Sequence, residues 1–341
     1  MDNQVELKCL LCNRETTLKN KAFPSYQQPV TFEIYHCNSC KVGFTMPRMN
    51  DTQELYDNIY KNGPKVRFYD RYWKYAEAVK NVRNPLDYLA KSEETYWGVR
   101  SALLNIQKER KLTKILEVGS GLGYLTYGLR MAGYDSYGLD ISENAVAQAK
   151  TDFGSNYIAS DIFDYAEQKA ACFDVVILTE VIEHIDNPLP FLRALMKLII
   201  PTGQIILTTP NKSLYPDSVI WASDLPPVHC WWFSEESIEY ISDKINASLS
   251  FIDFSEYYRS NGKLVDPYDL AKPAFDKDGE LIIYERPKNS TLFIITLKGF
   301  FRNISLFRKF NFYLRAHLNK ELIVCNKKGL VICAILKKKG K

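Results

Sequence analysis

The sequence predicts an α/β protein built on a doubly wound, mostly parallel sheet, with a small module ahead of it. Three observations carry that expectation. Strand-like and helix-like runs alternate between about residues 112 and 260. A glycine turn, Gly119-x-Gly121-x-Gly123, follows the first of those strands. Two Cys-x-x-Cys knuckles stand near the N-terminus, far from the alternating region.

Taken in order, residues 1–50 read as a zinc ribbon. Cys9-Leu-Leu-Cys12 and Cys37-Asn-Ser-Cys40 are separated by 24 residues. Four thiolates match the tetrahedral preference of zinc, and paired knuckles let two tight turns grip one ion. Val30 to His36 alternates as a strand that could deliver the second knuckle. So short and polar a region makes little core, so the metal would supply folding energy. Four cysteines leave no open position for chemistry, so the expected role is structural. His36 is expected at the surface. Cys172, Cys230, Cys325 and Cys333 read as small buried hydrophobes.

Residues 51–111 read as a helical lid. Thr52 to Tyr60 is a helix with Thr52 as its cap. Arg67 to Arg110 carries Tyr, Trp, Leu and Ala at helical spacing, divided by Pro85 and restarting at Ser92-Glu93-Glu94-Thr95.

Residues 112–260, completed by 329–341, read as the core domain. Ile115 to Val118 is an apolar strand, followed by the glycine turn and a helix to Ala132. Ser136 to Leu139 leads to Asp140 and a helix from Ser142 to Thr151. Tyr157 to Ala159 leads to Asp161 and a helical run to Ala170. Asp174 to Leu178 precedes a helix through Pro190 to Ile199. Pro201-Thr202-Gly203 turns the chain into Gln204 to Thr209. Ser234 caps a helix to Lys244, and Leu249 to Phe254 is the sixth strand. Gly329 to Leu336 is the last strand. Ligands of such sheets sit at the carboxyl ends of the strands.

Residues 261–328 then form a long insertion. From Arg286 to Lys341 there are 14 Lys or Arg against one acid, Glu321. Arg302, Arg308, Lys309 and Arg315 lie among aromatics in the segment 298–318. Two readings stand: a helix packed on the domain with its cations in water, or contact with a membrane surface or an anionic, lipid-linked substrate.

Composition narrows the function classes. The chain is 46% hydrophobic and 25% charged, ordinary for a soluble protein. A formal net charge of +4 argues against a general nucleic-acid binder. No apolar run approaches the roughly 20 residues that cross a bilayer. Met1 to Lys8 has no signal-peptide core. The expected location is the cytoplasm, peripheral to the inner membrane if the basic segment meets lipid.

Glycine permits backbone angles other residues avoid and lets a ligand lie against the main chain. The pattern Glu117-x-Gly119-x-Gly121-x-Gly123 resembles the first motif of class I S-adenosylmethionine-dependent methyltransferases. That resemblance covers about 112–260 and the final strand, and implies a Rossmann-like sheet whose last strand is antiparallel. It implies that Asp140 holds both ribose hydroxyls and that Asp161 accepts from the adenine amino group, with Ile162 beside the ring. Ile141 and Thr179 complete the implied cofactor residues, with Glu117 and the three glycines.

Thr179-Glu180-Val181-Ile182-Glu183-His184-Ile185 follows the fourth strand. On a helix, the spacing of Glu180, Glu183 and His184 would put all three on one face. With the distant His229, they resemble the ubiquinone-pathway O-methyltransferases and the small-RNA 2′-O-methyltransferases. In those groups two Glu and two His hold a divalent ion at the acceptor hydroxyls. The ion would be magnesium or another divalent metal. Three readings stay open here: such a metal site, a metal-free base at His184 or His229, and a structural role. The ribbon resembles the zinc-binding N-terminus of bacterial sugar and cell-surface glycan methyltransferases. It turns the substrate expectation toward a sugar hydroxyl on a small molecule or glycan precursor, and away from quinone and RNA. Alternatives are a sugar carbon acceptor, an RNA or protein methyltransferase that reads its target through the ribbon, and a non-catalytic cofactor binder.

Overall fold

The computed structural model describes residues 7–49, 52–66, 69–104, 106, 113–214, 225–259, 263–265, 272–284, 323–325 and 327–340. At the N-terminus the two knuckles have matching backbones. Asn13 N–H donates to the Cys9 carbonyl (2.8 Å), and Lys41 N–H to that of Cys37 (2.9 Å). Asn13 and Lys41 both adopt a left-handed conformation, with φ of 58° and 57°. Three antiparallel strands carry these turns: β1 (Thr16–Pro24), β2 (Thr31–Cys37) and β3 (Gly43–Met46). β1 was not expected. Its sequence is polar and its register is interrupted twice, so no apolar alternation marks it.

Four helices follow: α1 (Gln53–Asn62), α2 (Asp70–Ala78), α3 (Pro85–Ser92) and α4 (Glu94–Leu104). Thr52 precedes α1, but its side chain makes no capping bond. Pro85 opens α3, where a missing N–H costs nothing.

The alternating region then runs β4 (Lys114–Val118), α5 (Tyr124–Met131), β5 (Asp135–Asp140), α6 (Glu143–Phe153), β6 (Tyr157–Ala159), α7 (Ile162–Gln168), β7 (Phe173–Thr179), α8 (Pro188–Leu198) and β8 (Ile199–Pro210). After it come β9 (Trp231–Trp232), α9 (Glu235–Lys244), β10 (Ala247–Phe251) and α10 (Ser255–Tyr258). The last elements are β11 (Lys263–Val265), β12 (Ile323–Cys325) and β13 (Val331–Lys338). Ser234 caps α9 as expected, and Ser142, which was not singled out as a cap, does the same at α6. Ser142 accepts from Ala145 N–H, and Ser234 forms a reciprocal capping box with Ser237.

Seven strands make the main sheet, in the order β10-β13-β8-β7-β4-β5-β6. β13 runs antiparallel to both β8 and β10, while β4 to β8 pair in parallel. The last strand is therefore inserted beside the sixth, as expected. Two boundaries differ. Pro201-Thr202-Gly203 is not a separate turn but part of β8, where the register with β7 jumps from Ile199 to Gln204. The sixth strand ends at Phe251, because Ser255 begins the short α10.

Strand order reverses between β4 and β7, which opens a crevice at their carboxyl ends. One face of the sheet packs against α3 to α6. The other packs against α7 to α9 and also takes Cys9, Cys37, Val42 and Phe44 of the ribbon into its core. A third core unites ribbon residues Phe23, Tyr26 and Ile34 with Leu55 and Ile59 of α1, and with Leu225, Val228 and Trp232. β9 joins the edge of the ribbon sheet by pairing with β3, so that sheet has four strands. Among the described residues, no helix is long and apolar enough to cross a membrane. The basic segment 298–318 lies outside the described residues.

Candidate active site

The glycine turn leaves β4 with three consecutive left-handed glycines: φ is 74° at Gly119, 48° at Gly121 and 81° at Gly123. Gly119 and Ser120 N–H groups both donate to the Leu139 carbonyl, which ties the turn to β5. A Cβ at Gly119 would lie 2.5 Å from Val181, and one at Gly123 only 2.6 Å from the Tyr157 ring. At Gly121 a Cβ would meet nothing within 4 Å. Two glycines are thus required by packing, and the middle one faces open space where a ligand can approach the main chain. Gly123→Ala combines left-handed strain with overpacking and is expected to destabilise the fold by about 2–4 kcal/mol. A urea unfolding midpoint within error of wild type would contradict this.

Asp140 ends β5 with both carboxylate oxygens engaged. Oδ2 accepts from Gly121 N–H (2.7 Å) and Oδ1 from Ser142 N–H (2.9 Å). The acid therefore sets the glycine turn and the α6 N-terminus, and keeps lone pairs for further donors. Ile141 beside it is 75% exposed, an apolar face presented to the crevice side. Asp161 caps α7, accepting from Phe163 N–H at 2.7 Å. Ile162 opens α7 directly after Asp161. It is buried in the core with Leu139. Phe163 is exposed instead, a residue that spacing alone did not single out. Thr179 is half-buried at the end of β7.

Glu117 is buried beneath the turn and accepts from the Thr126 hydroxyl. Burial pushes its carboxyl from 4.5 up to about 8. The folded chain thus holds a proton that the unfolded chain releases above roughly pH 4.3. The contribution to stability is full below that pH and is lost as pH rises through about 8. In cofactor-free protein, Glu117→Gln is expected to raise the melting temperature relative to wild type more at about pH 9 than at about pH 5. An equal shift at both would count against a buried neutral acid.

On the acceptor side, Val181 packs over Gly119, so the two halves of the crevice touch. The stretch before it does not form the expected α-helix. Glu180 has φ of 54°, and only Ile182–His184 makes a single tight 3-10 turn. The three residues therefore do not share a face. Glu180 accepts from Thr95 of α4 at 3.4 Å and stands outside the group formed by Glu183, His184 and His229, whose ligand atoms lie within 4.8 Å of one another. Glu183 is fully buried and accepts from the Thr209 hydroxyl at 2.9 Å. His184 Nδ1 is 2.7 Å from the Val228 carbonyl, which assigns the proton to Nδ1 and leaves the Nε2 lone pair, 3.8 Å from Glu183. The His184 and His229 rings meet edge to face, 4.5 Å apart. Burial lowers both imidazoles below their ordinary range, and for His229 the neighbouring His184 and Arg71 add to it. Both are neutral at pH 7, as a base or a metal ligand requires.

Side chains of α1 and α2 come near both halves, Tyr60 near Asp140, Tyr56 near Glu183 and Arg71 near His229. The phenol of Tyr60 is raised by partial desolvation and next by Asp140, although 42% of the residue stays exposed. That of Tyr56 is raised chiefly by burial, with Glu183 among the charges that add to it. Arg71 pairs with Glu93 at 2.7 Å, donates to the Tyr72 hydroxyl and stacks on that ring. These lid tyrosines were hidden in a sequence stretch whose only signal was aromatic abundance.

The ribbon cysteines converge away from the crevice. Cys9 and Cys40 sulfurs are 3.7 Å apart, those of Cys12 and Cys37 3.4 Å, and all four lie within 4.8 Å. Bonds of about 2.3 Å at tetrahedral angles put thiolates about 3.8 Å apart, so the four fit one zinc ion. The Cys40 sulfur draws Cys9 down to about 5, while burial pushes Cys12 up to about 11. His36 is buried beside them and not at the surface as expected. Cys172 is only half-buried, unlike Cys230, Cys325 and Cys333.

The family described as "Methyltransferase domain" matches residues 75–249, a little over half of the chain. The ubiquinone biosynthesis O-methyltransferase of Dechloromonas aromatica (strain RCB) is 33% identical over 114 residues, covering 32% of this chain and 48% of that protein. The mitochondrial ubiquinone biosynthesis O-methyltransferase of Mus musculus is 29% identical over 168 residues, covering 42% and 45%. The chain thus spans about half the length of the curated relatives it matches. A solved S-adenosylmethionine-dependent methyltransferase from Archaeoglobus fulgidus aligns over 78% of this chain and 99% of its own, at 16% identity and a TM-score of 0.45. The chain belongs to the methyltransferase-domain family, and its domain is of the class I S-adenosylmethionine-dependent kind.

Proposed function

We propose that this protein transfers the methyl group of S-adenosylmethionine to a hydroxyl of a sugar or glycan precursor. The observation that carries this reading is the junction of two unlike half-sites. A glycine turn with an open main-chain face is packed, through Val181, against the group formed by Glu183, His184 and His229. The acceptor hydroxyl loses its proton to a neutral imidazole, His184 or His229. Its oxygen then attacks the sulfonium methyl in line, the S–CH3 bond breaks, and a methyl ether and S-adenosylhomocysteine result. Proximity and exclusion of water by α1 and α2 supply most of the acceleration.

The donor set of one carboxylate and two neutral imidazoles also fits a divalent ion. Glu183, His184 and His229 would hold it, and the ion would acidify and orient the bound hydroxyl. The Nδ1 contact of His184 with the Val228 carbonyl is the kind of support that metal-bound imidazoles have. At the ribbon, Cys9, Cys12, Cys37 and Cys40 would hold a structural zinc. A nucleotide- or lipid-linked acceptor would bring phosphates for the basic segment 298–318.

The test is to incubate the full chain with S-adenosylmethionine and a panel of nucleotide sugars, following S-adenosylhomocysteine release and locating the new methyl by NMR. A methyl on carbon would replace the O-methyl reading. Release with no sugar of the panel, but with an acceptor from ubiquinone biosynthesis, would favour the second reading. That reading draws on the names of the curated relatives.

A further inference from the structure

We infer that the N-terminal ribbon is the positioning element of the acceptor side: β3 holds His229 in place through the main chain of Cys230. The inference rests on the reading above that His229 works at the acceptor.

The two backbone groups of Cys230 face different segments. Its N–H donates to the Glu183 carbonyl at 2.9 Å, and its carbonyl accepts from Thr45 N–H in β3 at 3.2 Å. One peptide segment thus clamps the ribbon to the acceptor turn, one residue away from His229. The clamp continues on both sides. Downstream, Phe44 pairs with Trp231 and Gly43 with Trp232. The Trp231 indole N–H donates to the Ile185 carbonyl at 2.7 Å, and its ring lies 5.9 Å from that of Phe44. Upstream, Tyr26 N–H of the ribbon donates to the Pro226 carbonyl at 3.1 Å, and Val228 is buried in one core with Phe23 and Tyr26. It is the carbonyl of Val228 that meets His184 Nδ1.

β9 is two residues long and sits at the edge of the ribbon sheet, where β3 is its neighbour. A pairing so short does not stand by itself, so its geometry is inherited from the sheet it joins. That sheet is in turn small, and although Phe23, Ile34 and Phe44 pack into the neighbouring cores, an ion on its four thiols would fix its two knuckles. Disturbing the ribbon should therefore loosen the stretch 225–233 and the turn at 183–185. The glycine turn, which is tied to β5 on the far side of the crevice, should be left alone.

The experiment compares the full wild-type chain with Gly43→Val, Cys37→Ser and His229→Ala. A Cβ at Gly43 would lie 3.3 Å from the Trp232 Cβ, so a branched side chain wedges β9 off β3 without touching a cysteine. Readouts are zinc content, S-adenosylhomocysteine titration, manganese(II) titration and amide hydrogen exchange. In Gly43→Val, zinc content and S-adenosylhomocysteine affinity should stay within about twofold of wild type, while exchange across 225–233 accelerates about tenfold or more. Cys37→Ser should accelerate the same amides. If Gly43→Val no longer binds S-adenosylhomocysteine, Gly43→Ala, with the milder contact, is read in its place. Unchanged protection of 225–233 in the ribbon variants would overturn the inference. Manganese(II) binding unaffected by His229→Ala, with the exchange response intact, would instead reject the metal-site reading and keep the mechanical coupling.

Discussion

His229→Ala is expected to slow methyl transfer by roughly 10³ while S-adenosylhomocysteine binds within about twofold of wild type. The split follows from where the residue sits. His229 is buried against His184, with ligand atoms in reach of Glu183, on the acceptor side of Val181. Removing it deletes a neutral imidazole where the acceptor proton must leave, and leaves the cofactor half as built. Glu183→Ala should cost at least as much turnover, because it also frees the Thr209 hydroxyl and leaves a cavity in place of a fully buried side chain. Chelation separates the two chemistries. If an ion acts there, EDTA abolishes wild-type turnover and manganese(II) restores it, and His229→Ala needs at least about tenfold more of the ion. If an imidazole acts alone, manganese(II) has no effect on turnover, any loss under EDTA through the ribbon thiols is reversed by zinc and not by manganese(II), and the variants stay slow. Turnover within about threefold of wild type in both variants, with or without EDTA, would remove this group from the mechanism.

What the chain showed in advance depended on how local each feature is. The run Ile115 to Val118, the glycines after it and the acid at Asp140 are neighbours in sequence, and each is dictated by its own backbone needs. They are found where the pattern put them. The same holds for Ser234, whose cap needs only the next turn. The Glu180 to His184 stretch misled because spacing of three and four has meaning only on a helix. A left-handed Glu180 brings Val181 onto Gly119 and turns Glu180 away from Glu183. Ile162 and Ile141 show a related limit: both follow an acid, and only the side of the strand end decides which one is exposed. The pairing of Phe44 with Trp231 was unreadable for another reason. Nothing in a two-residue run of tryptophan names a partner so distant in sequence. Lid tyrosines such as Tyr56 and Tyr60 belong to the same class, because their function comes from what they face and not from their spacing.

Asp140→Ala should weaken S-adenosylhomocysteine binding by roughly 10²-fold, a loss of about 3 kcal/mol, with a smaller loss of stability of about 1–2 kcal/mol. Two distinct effects add in the first figure. On the proposed reading the carboxylate would accept from the ribose hydroxyls, and charge-assisted bonds of that kind are worth about 1.5–3 kcal/mol. It also holds the Gly121 and Ser142 N–H groups at 2.7 and 2.9 Å, so its loss lets the open face of the turn wander before any ligand arrives. The stability figure is smaller because both N–H groups lie at a crevice where water can replace the acid. Asp140→Asn keeps one acceptor oxygen and should fall between alanine and wild type. If the asparagine variant binds as poorly as the alanine one, charge and not turn geometry dominates. Asp161→Ala is the control at the other end of the ligand: it removes the α7 cap, costing about 1 kcal/mol of stability. Affinity unchanged in Asp140→Ala would displace the cofactor from this crevice, because Asp140 is bonded to the middle glycine of the turn.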